Sequence, residues 1–425
     1  MLKAWQESLV RALRWSEKYT KTDMVYLARG GTLSFIGQGA SIVASLVLAV
    51  AISHFLSKEA YGEYKYVLSI VGMLSVFSLN GISSAVFQSA AAGFDGALIR
   101  GFWANIRWSA LIFAGTLTLA SYYFIMGNPS LATEILIGGS LSPFLASTNL
   151  FASFLGGKKD FYRQTVYGII DNVIPILIFI GVVIVTGNPI ILVATYFLTN
   201  LLAGLYFYRR TIDVYHASLH LHDEEMLTYS KHLSLMGIIG GISSSLDQIL
   251  LFHYVGAAQL ATYNFATAIP DLMKGHAKNI DAMLQARFVN RGAREIQEGM
   301  SNKIGWFAFI NIIITLTYIT AAQYIFNALF PAYQDAVFYS QIYALWMLSI
   351  AFDPYSTYLV AKKLTNELYA NYLFYSVVQI ASMLVGVLFW GLIGLVIARV
   401  ATRFLVAILN YILYRRAIAR ETGTA

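Results

Sequence analysis

Between Val173 and Val185 the chain reads VIPILIFIGVVIV, without a single charge. Runs like this recur along nearly the whole length. A helix needs about 20 mostly apolar residues to cross the hydrocarbon of a bilayer. No water reaches that depth, so a lipid-exposed backbone must satisfy its own hydrogen bonds, and a helix does so within one segment. A barrel would instead show segments of about ten residues with alternating polarity. Twelve candidate spans are found, near 30–55, 66–87, 105–126, 133–155, 166–186, 190–209, 233–254, 258–278, 304–327, 337–360, 369–390 and 392–414. The eighth, ATYNFATAIPDLMKGHAKNIDAM, turns polar halfway. The expected fold class is an all-α integral membrane protein with twelve transmembrane helices.

Composition agrees. Hydrophobic residues make up 58% of the chain and charged residues 12%, against about 25% charge in soluble domains. Mean hydropathy is +0.62. The longest polar pieces are 1–27, 211–232 and 274–303, none long enough for a soluble domain. There is no cysteine, which excludes disulfides, thiol nucleophiles and cysteine-bound clusters. The N-terminal segment carries Lys3, Glu7, Arg11, Arg14, Glu17 and Lys18, and these charges interrupt the apolar core a cleavable signal peptide needs. Leu2, Trp5, Leu9, Ala12 and Leu13 share one helical face among these bases. That pattern fits a short solvated helix or one lying on cytoplasmic headgroups.

The positive-inside rule tests the span count. With the N-terminus in the cytoplasm, the basic residues gather in the N-terminal segment, alternate loops and the tail. Of the 29 basic residues only Lys58, Lys65, Arg399 and Arg403 fall elsewhere. A wrong count would scramble this partition, so both ends are expected inside. The net charge of +7 then reflects loops near anionic lipid and calls for no nucleic acid.

The chain echoes itself. His54-Phe55-Leu56-Ser57 and Tyr64-Lys65-Tyr66 match His253-Tyr254-Val255-Gly256 and Tyr263-Asn264-Phe265. Tyr208-Arg209-Arg210 matches Tyr414-Arg415-Arg416 at nearly the same offset. Two six-helix lobes follow: an N-lobe over 28–210 and a C-lobe over 233–416. A cytoplasmic linker over 211–232 joins them, and a tail over 417–425 ends the chain. Even-numbered halves share orientation, which implies a pseudo-two-fold axis along the membrane normal and favours alternating access.

Charges within spans are expensive and usually face a cavity or a partner. Arg399 and Arg403 lie four apart on the twelfth span, hence on one face. The matching positions of span six are Val193 and Phe197, so the stripe belongs to one half only. It reads as a cationic cavity surface, as outward snorkelling, or as a pairing with Asp247. Arg29, entering span one, is a topology anchor or a further cavity cation. Asp247, in GGISSSLDQ, suits a proton site or an ion pair. Asp171-Asn172 begins span five, one turn before Pro175, as an ion-coupling acid or only a helix-start acid. Asp353-Pro354 reads as a helix break. Pro143, Pro175 and Pro270 introduce kinks.

The linker HASLHLHDEE clusters His216, His220, His222 and Asp223; a solvated loop fits better than a metal site. No phosphate-cradling loop, HExxH or nucleophile elbow is found. Neither catalysis nor a cofactor is expected, and without a P-loop ATP is not this chain's direct fuel.

Motifs add a resemblance. LSKEAYGEY over 56–64 resembles the "LGPEEYGIY"-like segment of Wzx-type polysaccharide (O-antigen or exopolysaccharide) flippases. SVFSLNGISSAVFQSAA over 75–91, Asp247-Gln248-Ile249-Leu250 and VGAAQLATYNFA over 255–266 are similar to further family segments. Lys58 departs from a more usual Pro, and Ala261 from a frequent Gly. The resemblance covers the whole chain loosely and marks the superfamily better than the substrate. It implies the twelve-helix, two-lobed fold shared with multidrug and toxic-compound extrusion transporters. The implied activity is flipping a polyprenyl-diphosphate-linked oligosaccharide to the outer leaflet of the inner membrane, driven by a proton or sodium gradient. A cationic cavity would hold the diphosphate, and a polysaccharide polymerase and other assembly proteins would be partners. Lipid II flippases are less similar, usually carrying two more helices. A cation- or proton-coupled exporter of small amphiphiles is the other class, though two arginines on one cavity face argue against it.

Overall fold

The computed structural model describes residues 24–218, 223–289 and 291–422. Side chains of 24–36, of 273–280 and of scattered neighbours up to 303 lie outside the described set. The N-terminal segment expected on the headgroups lies mostly outside it too. Among the described residues every regular element is a helix.

Sequence chemistry sets many of the boundaries. Asn128 and Asn188 each precede a proline and cap the helix that follows, accepting from the Leu131 and Ile190 amides at 3.1 and 2.9 Å. Asp160 caps in the same way, accepting from the Arg163 amide at 3.1 Å. Such side chains satisfy amides that the first helical turn leaves orphaned, and proline needs none there. Gly256, with φ of 109°, makes the reversal between two helices that Phe252 and Leu260 continue on either side.

In chain order the helices are α1 (Met24–Phe55), α2 (Lys58–Leu74), α3 (Ile82–Ala91), α4 (Ala97–Trp108), α5 (Ala110–Ile125), α6 (Pro129–Thr148), α7 (Leu150–Gly157), α8 (Phe161–Val185) and α9 (Pro189–Tyr215). They continue with α10 (Met226–Tyr254), α11 (Ala257–Val289), α12 (Ala293–Leu329), α13 (Ala336–Ala344), α14 (Asp353–Ala361) and α15 (Thr365–Thr422). A 3₁₀ stretch, Leu345–Phe352, joins α13 to α14. Among the described residues eight helical segments are long and apolar enough to cross a membrane. The count becomes ten if each of two bent pairs is one span. One bent pair is Lys58–Phe77 with Ile82–Ala91, at 59°.

Two features account for the difference from twelve. The expected eleventh and twelfth spans lie in α15, which reverses at Gly391 (φ 60°, ψ −135°). The two arms, 365–390 and 392–422, run antiparallel. Ser382 and Thr402 hydroxyls meet at 3.0 Å, and Arg420 reaches Glu367 at 2.8 Å. A Cβ on Gly386 or Gly394 would strike the other's backbone, so these glycines let the arms touch. The expected eighth span lies on α11, whose second half carries Lys274, Lys278 and Asp281 and is not apolar.

The chain forms two compact units: 24–51 with 74–238, and 52–73 with 239–422. In the first, α9 packs on α6 and α8, and α5 on α6. Leu79, Ile82, Val86, Leu98, Phe154 and Tyr208 are among its core. Val193 and Phe197 are buried there. Both acceptor atoms of the linker's Asp223 carboxylate are engaged, by Ser89 Oγ at 2.7 Å and the Glu225 amide at 2.9 Å. His220 and His222 lie outside the described residues, and among those described no group of three metal-ligating side chains forms.

In the second unit, α11 packs on α13 and α14, and α14 on α15. Phe288, Met300, Tyr358, Leu359, Leu413 and Tyr414 belong to its core. This unit contains both copies of the first echo, packed on each other. Tyr66 stacks on Phe252 with centroids 3.7 Å apart, and Tyr61 lies 5.4 Å from Phe265. Lys58 pairs with Asp335 at 2.6 Å. Around both units many large apolar residues stay exposed, such as Leu117, Leu177, Leu316 and Phe389, the surface expected of helices solvated by lipid.

Gly62 fixes how closely α2 approaches α11, because a Cβ there would collide with the Ala257 carbonyl and backbone. Gly62→Ala is expected to lower thermal stability in detergent by about 1–3 kcal/mol. Gly181→Ala, which meets nothing within 4 Å, serves as the neutral or slightly stabilising control. Equal melting of both variants would show that the close approach does not matter.

Candidate functional site

The second unit holds Asp247, Arg399 and Arg403. Asp247, on α10, is almost fully buried with its side chain 1% exposed, and it pairs with Arg399 of α15. The same oxygen, Oδ2, accepts from the Tyr263 hydroxyl of α11 at 2.6 Å. Arg399 also donates to the Tyr263 oxygen, at 2.6 Å. Three helices therefore meet at one carboxylate oxygen. Oδ1 of Asp247 is buried and has no hydrogen-bond partner among the described residues. A serine run precedes Asp247, and small residues allow neighbours to approach closely; Ser245 lies against Gly72 of α2.

Aromatic rings surround this pair. The Arg399 guanidinium lies 6.0 Å from the Tyr343 ring, and Tyr343 donates to Asp271 at 2.8 Å. One turn along α15, Arg403 lies 5.7 Å from the Trp346 ring and 5.8 Å from the Tyr375 ring. Aromatic faces attract a cation without using its N–H donors. Among the described residues no carboxylate lies within ion-pairing distance of Arg403 and no hydrogen bond from its guanidinium is seen, although the Asp353 carboxylate is near enough to attract it; its planar donor fork suits an anion.

The two arginines expected to act as one stripe thus have different surroundings. Arg399 is neutralised, which is the pairing alternative read from the sequence. Arg403 keeps its charge. Their counterparts Val193 and Phe197 are apolar core in the first unit, so the polar network is confined to the second. The other two candidates, Arg29 and Asp171, belong to the first unit. Arg29 is on α1 and its side chain lies outside the described residues. Asp171 is on α8, and its Oδ1 is buried without a hydrogen-bond partner among the described residues. Pro175, one turn on, has no N–H for the Asp171 carbonyl. Just beyond, α8 and α1 enclose an apolar groove of about 430 Å³ lined by Gly39, Ala40, Val43, Val173, Leu177 and Ile180, among others.

Asp353 heads α14 after the 3₁₀ stretch, the helix break expected of Asp353-Pro354. Tyr263, Tyr343, Asp271, Trp346 and Tyr375 were not read as site residues. Tyr263 had a signal, since it is the echo of Tyr64 and both are buried. The others carry none, because nothing in one sequence tells a ring beside a guanidinium from a ring in the core.

A buried ion pair is weak as a source of stability, but removing one partner strands the other charge. Asp247→Leu alone is expected to destabilise the protein by about 3–5 kcal/mol. The double variant Asp247→Leu/Arg399→Met is expected to recover most of that loss. Thermal unfolding in detergent is the measurement; a double variant no more stable than the single one would mean the charges are not coupled.

With this geometry the chain resembles several solved membrane proteins. An inward-facing multidrug resistance MATE family transporter of the MOP superfamily matches with a TM-score of 0.71 and 16% identity, over 91% of this chain and 96% of that one. The lipid II flippase MurJ, in an inward closed conformation, matches with a TM-score of 0.69 and 14% identity, over 90% and 87%. An outward-facing MATE transporter gives 0.60 and 15%, over 94% and 96%. At such identities the likeness is one of fold. No curated protein matches in sequence. A family model described as polysaccharide biosynthesis protein matches residues 27–275, more than half of the chain. The chain is a multi-pass membrane protein with the fold of flippases and transporters, and it belongs to the polysaccharide biosynthesis protein family.

Proposed function

We propose that the chain flips a polyprenyl-diphosphate-linked oligosaccharide from the cytoplasmic to the outer leaflet by alternating access. The observation that carries this reading is the family match over residues 27–275, and the fold likeness to a lipid II flippase supports it. The proposed architecture is twelve transmembrane helices in two six-helix lobes with both termini cytoplasmic. It counts each bent pair as one span, the two arms of α15 as two, and α11 as the remaining one. The partition of basic residues supports it. The proposed location is the inner membrane, and the proposed partners are lipids, a polysaccharide polymerase and other assembly proteins.

Arg403 is the proposed contact for the diphosphate, because it combines charge, free donors and two ring faces. Arg399 becomes available to the substrate only when Asp247 lets go of it. Asp247, with an unbonded Oδ1, and Asp171 are the proposed coupling acids for a proton or sodium gradient. Arg29 is the proposed cation of the first unit. The alternative is an exporter of small amphiphiles, favoured by the fold likeness to multidrug transporters and by the buried acid.

The test is surface glycan in cells that depend on this chain. Arg403→Ala is expected to lower it roughly tenfold or more at unchanged membrane protein level, and Arg403→Lys to retain part of it. Sensitivity to amphiphilic toxicants should not change. Normal glycan together with altered toxicant sensitivity would favour the exporter.

A further inference from the structure

Two lysines on α2 have opposite surroundings. Lys58 has the Asp335 carboxylate at 2.6 Å and the Tyr333 ring at 5.2 Å. Asp335 is held in turn by Thr262 at 3.1 Å. Lys65 lies seven residues on, about 10 Å further along the helix. Among the described residues its ammonium has no carboxylate, carbonyl or hydroxyl partner. Its neighbour is the Tyr61 ring, with Nζ 5.8 Å from the centroid.

Snorkelling accounts for only part of this arrangement. A snorkelling lysine lays its stem along apolar surface and puts its head in water. Lys65 is partly buried, and its ammonium lies one turn from the ring of Tyr61, which is itself buried against Phe265. Tyr64, Tyr66 and Ser69 around it are buried as well. The Ser69 hydroxyl is committed to the Lys65 carbonyl at 2.9 Å, so it offers the ammonium nothing. An unmatched charge at membrane depth is unfavourable and marks a functional position. Lys58, on the same helix, has a carboxylate and a ring from the 331–335 segment beside it, so the lack of a carboxylate at Lys65 is local.

We propose that Lys65 is an anion receptor whose ammonium takes a phosphate oxygen of the transported lipid. An ammonium is a compact point charge with three donors and suits a phosphate oxygen. The buried ring beside it suits a phosphate carried on an apolar chain better than a free, fully hydrated anion. This assignment rests on the flippase reading and adds to it a second cation, on α2, outside the Asp247 network.

The experiment uses the full chain in phosphatidylcholine nanodiscs, with farnesyl diphosphate as the probe and tryptophan fluorescence as the signal. Farnesol, inorganic diphosphate and discs containing phosphatidylglycerol are the comparison arms. Wild-type protein is expected to bind farnesyl diphosphate more tightly than farnesol or inorganic diphosphate. Lys65→Gln is expected to weaken farnesyl diphosphate about tenfold or more and leave farnesol unchanged. Lys65→Arg should stay within about threefold. Lys65→Met should lose the same affinity yet melt at the wild-type temperature or above it, because it removes an unmatched charge.

If wild-type protein binds no farnesyl diphosphate, the flippase reading fails and this inference with it. If wild type binds and Lys65→Gln binds equally, only the assignment of Lys65 fails. Equal binding of inorganic diphosphate would make the site one for free anions, and displacement by phosphatidylglycerol would make it a headgroup site; either overturns the proposal. A lower melting temperature for Lys65→Met would give Lys65 a packing role instead.

Discussion

Backbone hydrogen bonding in the absence of water constrains everything else in this chain. Each amide and carbonyl at membrane depth needs a partner, and the helices supply it internally. Side chains are then left to decide what helices do to one another. Apolar residues face lipid at little gain or loss, so contacts between helices rest on small residues and on the few polar groups. Gly62 against Ala257, Gly386 against Gly394 and the serines before Asp247 are examples of the first. Asp247, Tyr263 and Arg399 are the clearest example of the second.

That polar cluster is asymmetric within the chain. The echo of the YRR motif makes α9 and the second arm of α15 counterparts. Tyr208 and Tyr414 are both buried, and the arginines after each are exposed. Further up the same helices the likeness stops. Where the first unit packs Val193 and Phe197 into an apolar core, the second inserts a neutralised arginine and an unpaired one. The two helices share the YRR signature at their ends and differ in the middle, and the middle of a span is where polarity is expensive enough to need a use.

Much of the fold was legible because its signals are periodic or cumulative. Apolar length gave the spans, and basic loops gave the sidedness now proposed. The candidate site was legible in part. Asp247 and Arg399 stand out as charges in greasy surroundings, and their pairing was one of the readings open to them. Which arginine of the two would be paired could not be read, since it depends on where α10 and α11 meet α15. Lys65 was overlooked for another reason. It sits among tyrosines in a polar-looking turn that resembles an interfacial belt, and only packing distinguishes a lysine facing water from one facing rings. The boundary read between the last two spans falls on Gly391, where a single glycine makes a reversal that elsewhere takes a loop.

That reversal has a bearing on how the two arms sit in the bilayer. Loops between spans normally let one helix settle in the bilayer independently of the next. At Gly391 there is no polar connector, and the arms are already in backbone contact at Gly386 and Gly394. A reversal this tight ties the depth and tilt of each arm to those of the other. The charge of Arg403 on the second arm is thereby kept 5.8 Å from the Tyr375 ring of the first arm.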